Sequence, residues 1–327
     1  MLYDNHGRII NYIRIAVTDR CNLRCYYCMP EEGIQFLAKK ELLSYEELER
    51  LLNILAPMGI SKVRITGGEP FVRKGMIDFM ETVAKVKGID SLHLTTNGTF
   101  AEKIVPRLKA IVKGVNLSID SLDSERFAKI TRRDCFEQVQ DRMHQLLDAG
   151  VPLKLNTVVL NNQNTEDIIP MIQLTEKLPV AVRFIEEMPF NGQGKREELV
   201  WNHKVIFDHI KSQFPDIQKL QDPQFSTSFN YQIKGYAGSF GIIPAYTRNF
   251  CGTCNRIRLT ATGVIKTCLY DDGVFNIKSF MRNGATDEQL RDAFLELLAN
   301  RFKDGHEAER NRRFDRPITE SMTTIGG

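Results

Sequence analysis

Short apolar runs alternate with amphipathic helical patterns through the first part of the chain, up to residue 188. Strands are predicted at residues 13–18, 62–66, 91–95, 114–119, 152–159 and 180–185. Helical periodicity lies between them, at residues 44–58, 75–87, 136–149 and 165–178. Repeated strand–helix units predict a parallel α/β sheet, which right-handed crossovers curl into a six-unit partial barrel.

Polar and apolar side chains alternate within each predicted strand. In the first strand, Ile13 and Ile15 take one face and Arg14 takes the other. Because the apolar face must contact the helices, the polar face lines the concave side of the barrel. The inward positions carry no acidic residue but four cations, namely Arg14, Arg64, Lys154 and Arg183. Buried cations persist only with partners, so the pattern favours a wet cavity for a polyanion over an internal salt network.

The strand–helix rhythm ends after residue 188. Residues 189–250 predict a linker, a helix near residues 204–213 and antiparallel strands with glycine turns. A helix is predicted around residues 287–301, before a polar tail that ends in Gly326 and Gly327. We therefore expect a barrel at 1–188, a linker with barrel-closing strands at 189–250, and an α+β C-terminal region at 251–327. On this pattern alone the tail is expected to be frayed.

Composition mainly excludes functions. The content of 42% hydrophobic and 26% charged residues is ordinary for a globular chain in water. The net charge of +3 is too small to indicate a nucleic-acid partner. The sequence has no apolar run of about 18 residues, and its first residues do not resemble a secretory signal. A cytoplasmic location without a membrane partner is the default prediction.

Three of the cysteines follow the first predicted strand with the spacing Cys21-x3-Cys25-x2-Cys28. Three thiolates in one loop can hold three irons of a cubane iron–sulfur cluster and leave the fourth iron open to a cosubstrate. A structural zinc ion would need a fourth ligand from a distant part of the chain. The triad therefore indicates an open-site cluster, with zinc as the alternative. Cys135, which stands alone, is expected to be a small apolar residue near a helix start.

A second group of three cysteines consists of Cys251, Cys254 and Cys268. It also lacks an obvious fourth ligand, which again favours an open-site cluster over a zinc ribbon. Arg256 and Arg258 follow closely, and in a strand their side chains would point to the same side. They are candidates for contacts with an anionic substrate, and a solvated surface pair is the alternative.

Several motifs carry a family resemblance. CNLRCYYC at residues 21–28 and ITGGEP at residues 65–70 resemble the radical S-adenosylmethionine (SAM) superfamily. Three further motifs are found in fewer families of that superfamily: FCGTCNRIRLT at residues 250–260, KTCLY at residues 266–270 and the terminal Gly-Gly. Together the motifs resemble the GTP 3',8-cyclase family of molybdenum cofactor biosynthesis, over nearly the whole chain.

The resemblance implies a complete set of site residues. Two [4Fe–4S] clusters would be bound, one by Cys21, Cys25 and Cys28 and the other by Cys251, Cys254 and Cys268. Contacts with SAM would come from Tyr27, Gly68, Glu69, Ser118 and Met188. The substrate GTP would contact Arg14, Arg64, Thr95, Lys154, Arg256, Ile257 and Arg258. The catalytic residues would be Arg183, Gly326 and Gly327.

The resemblance also implies a reaction. A 5'-deoxyadenosyl radical formed from SAM would take the hydrogen atom from C3' of the GTP ribose, and attack on C8 would give 3',8-cyclo-7,8-dihydro-GTP. GTP would lie between the two clusters, the second of them across the barrel mouth. An external electron donor and the next pathway enzyme would be the partners of a monomer or homodimer. The alternatives are another radical SAM enzyme with an auxiliary cluster, such as a peptide modifier, and a non-catalytic metal-binding module.

Overall fold

One sheet of twelve strands runs through the computed structural model, which describes residues 1–188, 199–248, 250–312 and 321–326. The strands are β1 (Tyr12–Ala16), β2 (Lys62–Thr66), β3 (Ser91–Thr96), β4 (Gly114–Ser118), β5 (Leu153–Val159), β6 (Ala181–Glu186), β7 (Ile217–Lys219), β8 (Phe229–Ile233), β9 (Ser239–Ile243), β10 (Arg256–Leu259), β11 (Val264–Lys266) and β12 (Phe275–Asn276). Their order in the sheet is β12-β11-β10-β1-β2-β3-β4-β5-β6-β9-β8-β7. The six predicted strands pair in parallel in chain order, so the α/β prediction is confirmed.

Both ends of this six-stranded parallel part are extended by strands from later in the chain. The prediction of antiparallel strands in the region 189–250 holds for β7, β8 and β9 among themselves. However, β9 joins β6 in parallel, and β10 joins β1 in parallel. The sequence pattern could not show these two pairings, because a strand's periodicity does not reveal which distant edge it will cover.

Helices follow most of the strands. They are α1 (Tyr45–Met58), α2 (Met76–Lys85), α3 (Val105–Ile111), α4 (Ser124–Thr131), α5 (Phe136–Asp148), α6 (Ile168–Lys177), α7 (His203–Gln213), α8 (Ile277–Arg282), α9 (Asp287–Ala299), α10 (Gly305–Arg310) and α11 (Met322–Ile325). The start of α1 follows from a capping box, in which Ser44 accepts from the Glu47 amide and Glu47 accepts from the Ser44 amide. Cys135 immediately precedes α5 and packs against the core, as predicted.

Accompanied by two smaller apolar clusters in the described residues, the main hydrophobic core lies between the sheet and helices α1 to α9. The apolar faces of the strands supply it, for example Ile13, Ile15 and Val63, which are at most 1% exposed. Ile257 of β10 and Phe294 of α9 belong to the same core, so the C-terminal region packs on the barrel rather than around a core of its own. Among the helices of the described residues, none is long and apolar enough to cross a membrane.

Candidate active site

The concave side of the sheet encloses a cavity of about 600 Å³. Its wall combines the polar faces of β1 to β6 with residues of β10. All six cations singled out in the sequence line it: Arg14, Arg64, Lys154, Arg183, Arg256 and Arg258. The prediction that strand alternation gathers Arg14, Arg64, Lys154 and Arg183 in one cavity is therefore confirmed, and Arg256 and Arg258 join them from β10.

The positive charge in this cavity is poorly balanced by the surrounding protein. Among the described residues, no carboxylate forms an ion pair with any of five of these cations: Arg64, Lys154, Arg183, Arg256 and Arg258. Burial, reinforced by Arg183 and Arg64, lowers the pKa of Lys154 to about 8, although the residue is partly exposed. Burial also lowers the pKa of Arg183 to about 10, against an opposing attraction from Asp222. A bound polyanion would relieve this repulsion.

Two residues that the sequence analysis missed stand among these cations. Lys62 and Tyr12 line the cavity two positions before Arg64 and Arg14, on the same faces of β2 and β1. The Tyr12 hydroxyl lies 2.7 Å from Nε of Arg64, which donates to it, and Nζ of Lys62 lies 4.9 Å from the Tyr12 ring centre. The period of two that identified the arginines was a sufficient signal for Lys62, whereas Tyr12 lies one residue before the strand predicted at 13–18.

The other predicted substrate contacts differ in their placement. Thr95 lines the cavity, and its Oγ1 accepts a hydrogen bond of 3.3 Å from Nη1 of Arg64. Ile257 is 1% exposed and packs in the hydrophobic core, so its side chain lies outside the cavity. Alternation along β10 explains this, because Arg256 and Arg258 occupy the inward positions on either side of it.

The first cysteine triad forms one end of the cavity, in the loop that leaves β1. Cys21, Cys25 and Cys28 all line the wall. Amides at Cys28 and Met29 both donate to the Cys25 carbonyl, which folds the loop into a tight turn. Burial and nearby negative groups raise the pKa of Cys21 to about 11 and that of Cys28 to about 12. Thiolates here need a compensating cation, which iron would supply.

The Gly67–Glu69 segment supports this loop. We expected the two glycines to let the backbone approach a ligand, and both do line the cavity. Their tightest contacts, however, are with protein: an added Cβ at Gly68 would lie 2.1 Å from the Arg20 carbonyl oxygen. Glu69 is 1% exposed and accepts hydrogen bonds from the Phe71 and Asn97 amides. Its carboxylate thus organises the turn. Among the described residues that line the cavity, Glu69 is absent.

Three residues predicted to contact SAM surround the same end. Tyr27, Ser118 and Met188 line the cavity there. The Tyr27 hydroxyl donates a 2.7 Å hydrogen bond to Asp120, which the sequence analysis did not select. Burial raises the pKa of Asp120 to about 6. Its position two residues beyond Ser118, again on the inward face, was the available signal.

The second cysteine triad lies at the other end of the barrel. Strands β1 and β10 are parallel, and Cys21 follows the end of β1 whereas Cys254 precedes the start of β10. The two triads therefore lie at opposite ends of β1, whose five residues span about 13 Å. The second triad closes the amino end of the strands, not the end that carries the first triad. Its chain neighbours Phe250, Asn255 and Leu269 line the cavity wall.

The three thiols of the second triad differ in the direction in which their pKa is shifted. Burial raises the pKa of Cys251, and it raises that of Cys268 to about 12. Burial also acts on Cys254, but Arg256 and Arg301 outweigh it and lower the pKa of this thiol. Cys254 is therefore the member of the triad that most readily becomes a thiolate.

Both triads fit an iron–sulfur cluster better than a single ion. No group of three or more His, Cys, Asp or Glu side chains in the described ranges converges to hold one metal ion. A tetrahedral zinc site requires four donors around one centre. In a cubane each thiolate binds a different iron, so three thiols that are close enough to interact electrostatically without converging on one point suit it.

The C-terminal segment is placed beside the first triad. Ser321 donates through Oγ to the Cys28 carbonyl at 2.6 Å, and α11 follows with Ile325 1% exposed. The Gly326 carbonyl accepts a 2.6 Å hydrogen bond from Arg258. The expectation of a frayed tail is thus wrong for residues 321–326. Gly327 lies outside the described residues.

Comparisons with known proteins agree with this geometry. The sequence model of the radical SAM superfamily matches residues 15–175, and that of Molybdenum Cofactor Synthesis C matches residues 180–307. The structure of SuiB from Streptococcus suis superposes with a TM-score of 0.61 and 14% identity, covering 90% of this chain and 66% of that one. At this identity the likeness shows the fold alone, which is the radical SAM α/β fold.

Curated relatives match along the sequence. A GTP 3',8-cyclase of Thermodesulfovibrio yellowstonii is 37% identical over 327 residues, covering 99% of each chain. A GTP 3',8-cyclase of Syntrophomonas wolfei is 40% identical over 303 residues, covering 90% of this chain and 91% of that one. Molybdenum cofactor biosynthesis protein 1 of Bos taurus is 38% identical over 291 residues, which are 88% of this chain but 46% of that protein. The chain thus spans about half the length of such animal relatives. From the near end-to-end matches and the fold, we conclude that the chain belongs to the GTP 3',8-cyclase family of the radical SAM superfamily.

Proposed function

We propose that the chain catalyses the SAM-dependent cyclisation of GTP to 3',8-cyclo-7,8-dihydro-GTP, an early step of molybdenum cofactor biosynthesis. The observation that carries the proposal is a single cavity with six cations between two cysteine triads. A triphosphate requires several cations held on rigid elements, and strands of one sheet provide them. The cavity of about 600 Å³ is also large enough for a nucleotide.

The first triad and the residues around it are assigned to SAM. Cys21, Cys25 and Cys28 would hold the cluster, and the contacts with SAM would come from Tyr27, Gly68, Ser118 and Met188. When bound, the cluster and SAM supply the one-electron chemistry that removes a hydrogen atom from the ribose. Glu69 acts indirectly, because its hydrogen bonds to the Phe71 and Asn97 amides hold the loop that faces the cluster.

The cations are assigned to GTP. Arg64 is fixed by Tyr12 and Thr95, so its guanidinium is already oriented for phosphate oxygens. Lys154 and Arg258 approach from β5 and β10 on other sides of the cavity. Arg183 on β6, which lines the cavity, would stabilise negative charge during the reaction. Ile257 would contribute through its backbone only.

The second triad and the tail complete the site. Cys251, Cys254 and Cys268 would hold a second cluster, whose open iron would bind the purine. The tail segment, anchored at Ser321 and at Gly326, would keep water out of the cavity from the side of the first triad. The role of Gly327 follows from the family resemblance alone.

The proposal is tested on anaerobically purified protein. Two cubanes require roughly eight irons per chain, and an assay with SAM, GTP and a reductant should yield the cyclised product. Cys25→Ser should lower bound iron by about half and abolish SAM cleavage. Cys268→Ser should lower iron similarly and abolish cyclisation, while uncoupled SAM cleavage survives. Cys135→Ser, outside both triads, is the matched control and should keep both activities.

Three results would contradict parts of this proposal. A colourless protein that contains zinc would exclude the cluster assignment. If Cys268→Ser forms the cyclised product at the parental rate, a cluster bound by Cys268 is not required for cyclisation. SAM cleavage that GTP does not affect would favour the alternative of a peptide-modifying enzyme. The three-part domain division, the cytoplasmic location, the external electron donor and the oligomeric state remain predictions.

A further inference from the structure

An ion-pair network outside the cavity contacts the second cysteine triad. Asp4, in the N-terminal segment, has a carboxylate with no exposed surface. It is 2.6 Å from Nε of Arg8 and 3.1 Å from Nη1 of Arg301, whose side chain is 3% exposed. One acid between two guanidinium groups thus joins the N-terminal segment to the residue that follows α9 by two positions.

The two guanidinium groups reach all three cysteines or their immediate neighbours. Arg301 donates through Nη2 to Cys254 Sγ at 3.4 Å and through Nη1 to the Cys254 carbonyl at 3.0 Å. Its Nε donates to the carbonyl of Thr267, the residue before Cys268, at 3.0 Å. Arg8 donates to the Cys251 carbonyl at 3.3 Å. No sequence motif pointed to these residues, because Asp4 and Arg301 lie far apart in the sequence.

We propose that Arg301, oriented by Asp4, is a positioning residue for the second cluster: it holds Cys254 and the backbone before Cys268 and donates a hydrogen bond to the Cys254 thiolate, while Arg8 holds Cys251. This inference rests on the proposed function, which places a cluster on that triad. A purely structural role in tying down the N-terminal segment would explain the Asp4 contact. It would not explain why the other donors of Arg301 bind Cys254 Sγ and the carbonyls of Cys254, Thr267 and Arg256, all at or within two residues of a cysteine of the triad.

The sulfur contact has an electrochemical consequence. Hydrogen bonds to the ligand sulfurs and the local charge are among the factors that set the potential of an iron–sulfur cluster. Reduction adds an electron, and a cation close to the thiolate stabilises that added charge. Removing the guanidinium should therefore make the second cluster harder to reduce, whereas a structural staple would leave the potential unchanged.

The test isolates the second cluster in a Cys25→Ser background, reconstituted with iron and sulfide and titrated electrochemically with detection by electron paramagnetic resonance. Arg301→Gln should lower the ratio of reduced to oxidised cluster at a fixed potential by about tenfold, which is about 59 mV for one electron. Arg301→Lys keeps the charge but lacks the planar set of donors, so it should give a smaller shift of the potential in the same direction. If Arg301→Gln fails to bind the cluster, Arg301→Lys should still bind it. Arg142→Gln removes a buried arginine on α5 and serves as the control.

Each outcome is decisive. The inference is supported if the potential is lower in Arg301→Gln and unchanged in Arg142→Gln. If Arg301→Gln holds no iron, the potential of Arg301→Lys is compared instead. An unchanged potential with the cluster present overturns the inference but leaves the proposed function intact. A Cys25→Ser parent that binds no second cluster overturns both.

Discussion

Single side chains on the concave face show how charge is concentrated in this molecule. Arg14, Arg64 and Lys154 are far apart in the sequence but occupy equivalent inward positions on their strands. Tyr12 stands between them, with its hydroxyl bound to Arg64 and with Lys62 and Arg256 near its ring. A phenol in this environment can lower the positive charge of the cavity by losing a proton near neutral pH.

Tyr12 should therefore couple GTP affinity to pH. Burial would raise the pKa of this phenol, but Arg64, Arg14 and Arg256 outweigh it and lower the pKa to about 7. Above that pH the phenolate places negative charge where the triphosphate binds, so affinity should fall, by up to about tenfold per pH unit. Isothermal titration of GTP between about pH 6 and pH 8 measures this in the parent and in Tyr12→Phe.

The Tyr12→Phe variant should have a flatter pH profile than the parent. Lys154, whose pKa is about 8, also loses its charge at higher pH, and because Tyr12 raises that pKa, both proteins carry Lys154→Gln in this comparison. The pH profile of GTP itself is the same for the two proteins and cancels. Identical profiles in the two proteins would show that Tyr12 stays protonated.

Arg64 should contribute directly to GTP affinity. A charge-assisted contact with phosphate is worth roughly 1.5–3 kcal/mol, which corresponds to a loss of about tenfold to a hundredfold in affinity for Arg64→Ala. Arg64→Lys should recover only part of this, because lysine lacks the bidentate fork. Arg107→Ala is the control, since Arg107 pairs with Asp78 and Glu81 on the outer surface. If titration calorimetry finds equal affinity in Arg64→Ala and the parent, the cations serve another purpose.

Among the secondary-structure elements, the short helix α11 is the least expected. Four residues cannot form a stable helix alone, so its order must come from its contacts. Ser321 binds the Cys28 carbonyl, Ile325 is buried, and Gly326 adopts φ of 77° against β1 and β2. An added Cβ at Gly326 would lie 2.7 Å from Thr66 Cγ2 and 3.2 Å from Ala16 Cβ.

Gly326→Ala should release this segment. The clash with Thr66 and Ala16 adds to the cost of positive φ, and hydrogen–deuterium exchange of residues 321–326 should rise. Gly235→Ala is the matched control, because Gly235 has φ of 86° and no atom within 4 Å of an added Cβ. Exchange in the tail that rises equally in both variants would mean that the tail is not held by this contact.

At the scale of the whole molecule, the first and last parts of the chain share one sheet and one core. Strand β10 covers the free edge of β1, and β9 covers that of β6. The common core includes three side chains from these later strands that are at most 1% exposed: Ile257, Leu259 and Phe240. The barrel segment 1–188 therefore has two edges and part of its apolar face that only later residues cover.

A fragment of residues 1–188 should consequently aggregate instead of folding alone. Two uncovered parallel edges and the exposed apolar face favour association between copies. Co-expression with residues 199–327 should restore a soluble complex, measured by size-exclusion chromatography. A monomeric, cooperatively unfolding 1–188 fragment would instead support the predicted domain boundary as an independent unit.

The sequence alone determined the features that depend on local periodicity and local spacing. Alternation within the first strands placed Arg14, Arg64, Lys154 and Arg183 on one face, and the cysteine spacing identified both triads. The same pattern contained Lys62, and Tyr12 lies one residue before the predicted strand; both were missed because a tyrosine and a lysine near a strand start are ordinary residues. These features could be predicted because the period of a strand is set by its own backbone.

Only the tertiary structure decided the relations between distant parts of the chain. It placed the second triad at the end of the barrel opposite the first, through the parallel pairing of β10 with β1. It also brought Arg301 to Cys254 and seated Ser321 on Cys28. No local pattern encodes these contacts, because each one depends on which sheet edge is left free and which buried donor lacks a partner once the whole chain has packed.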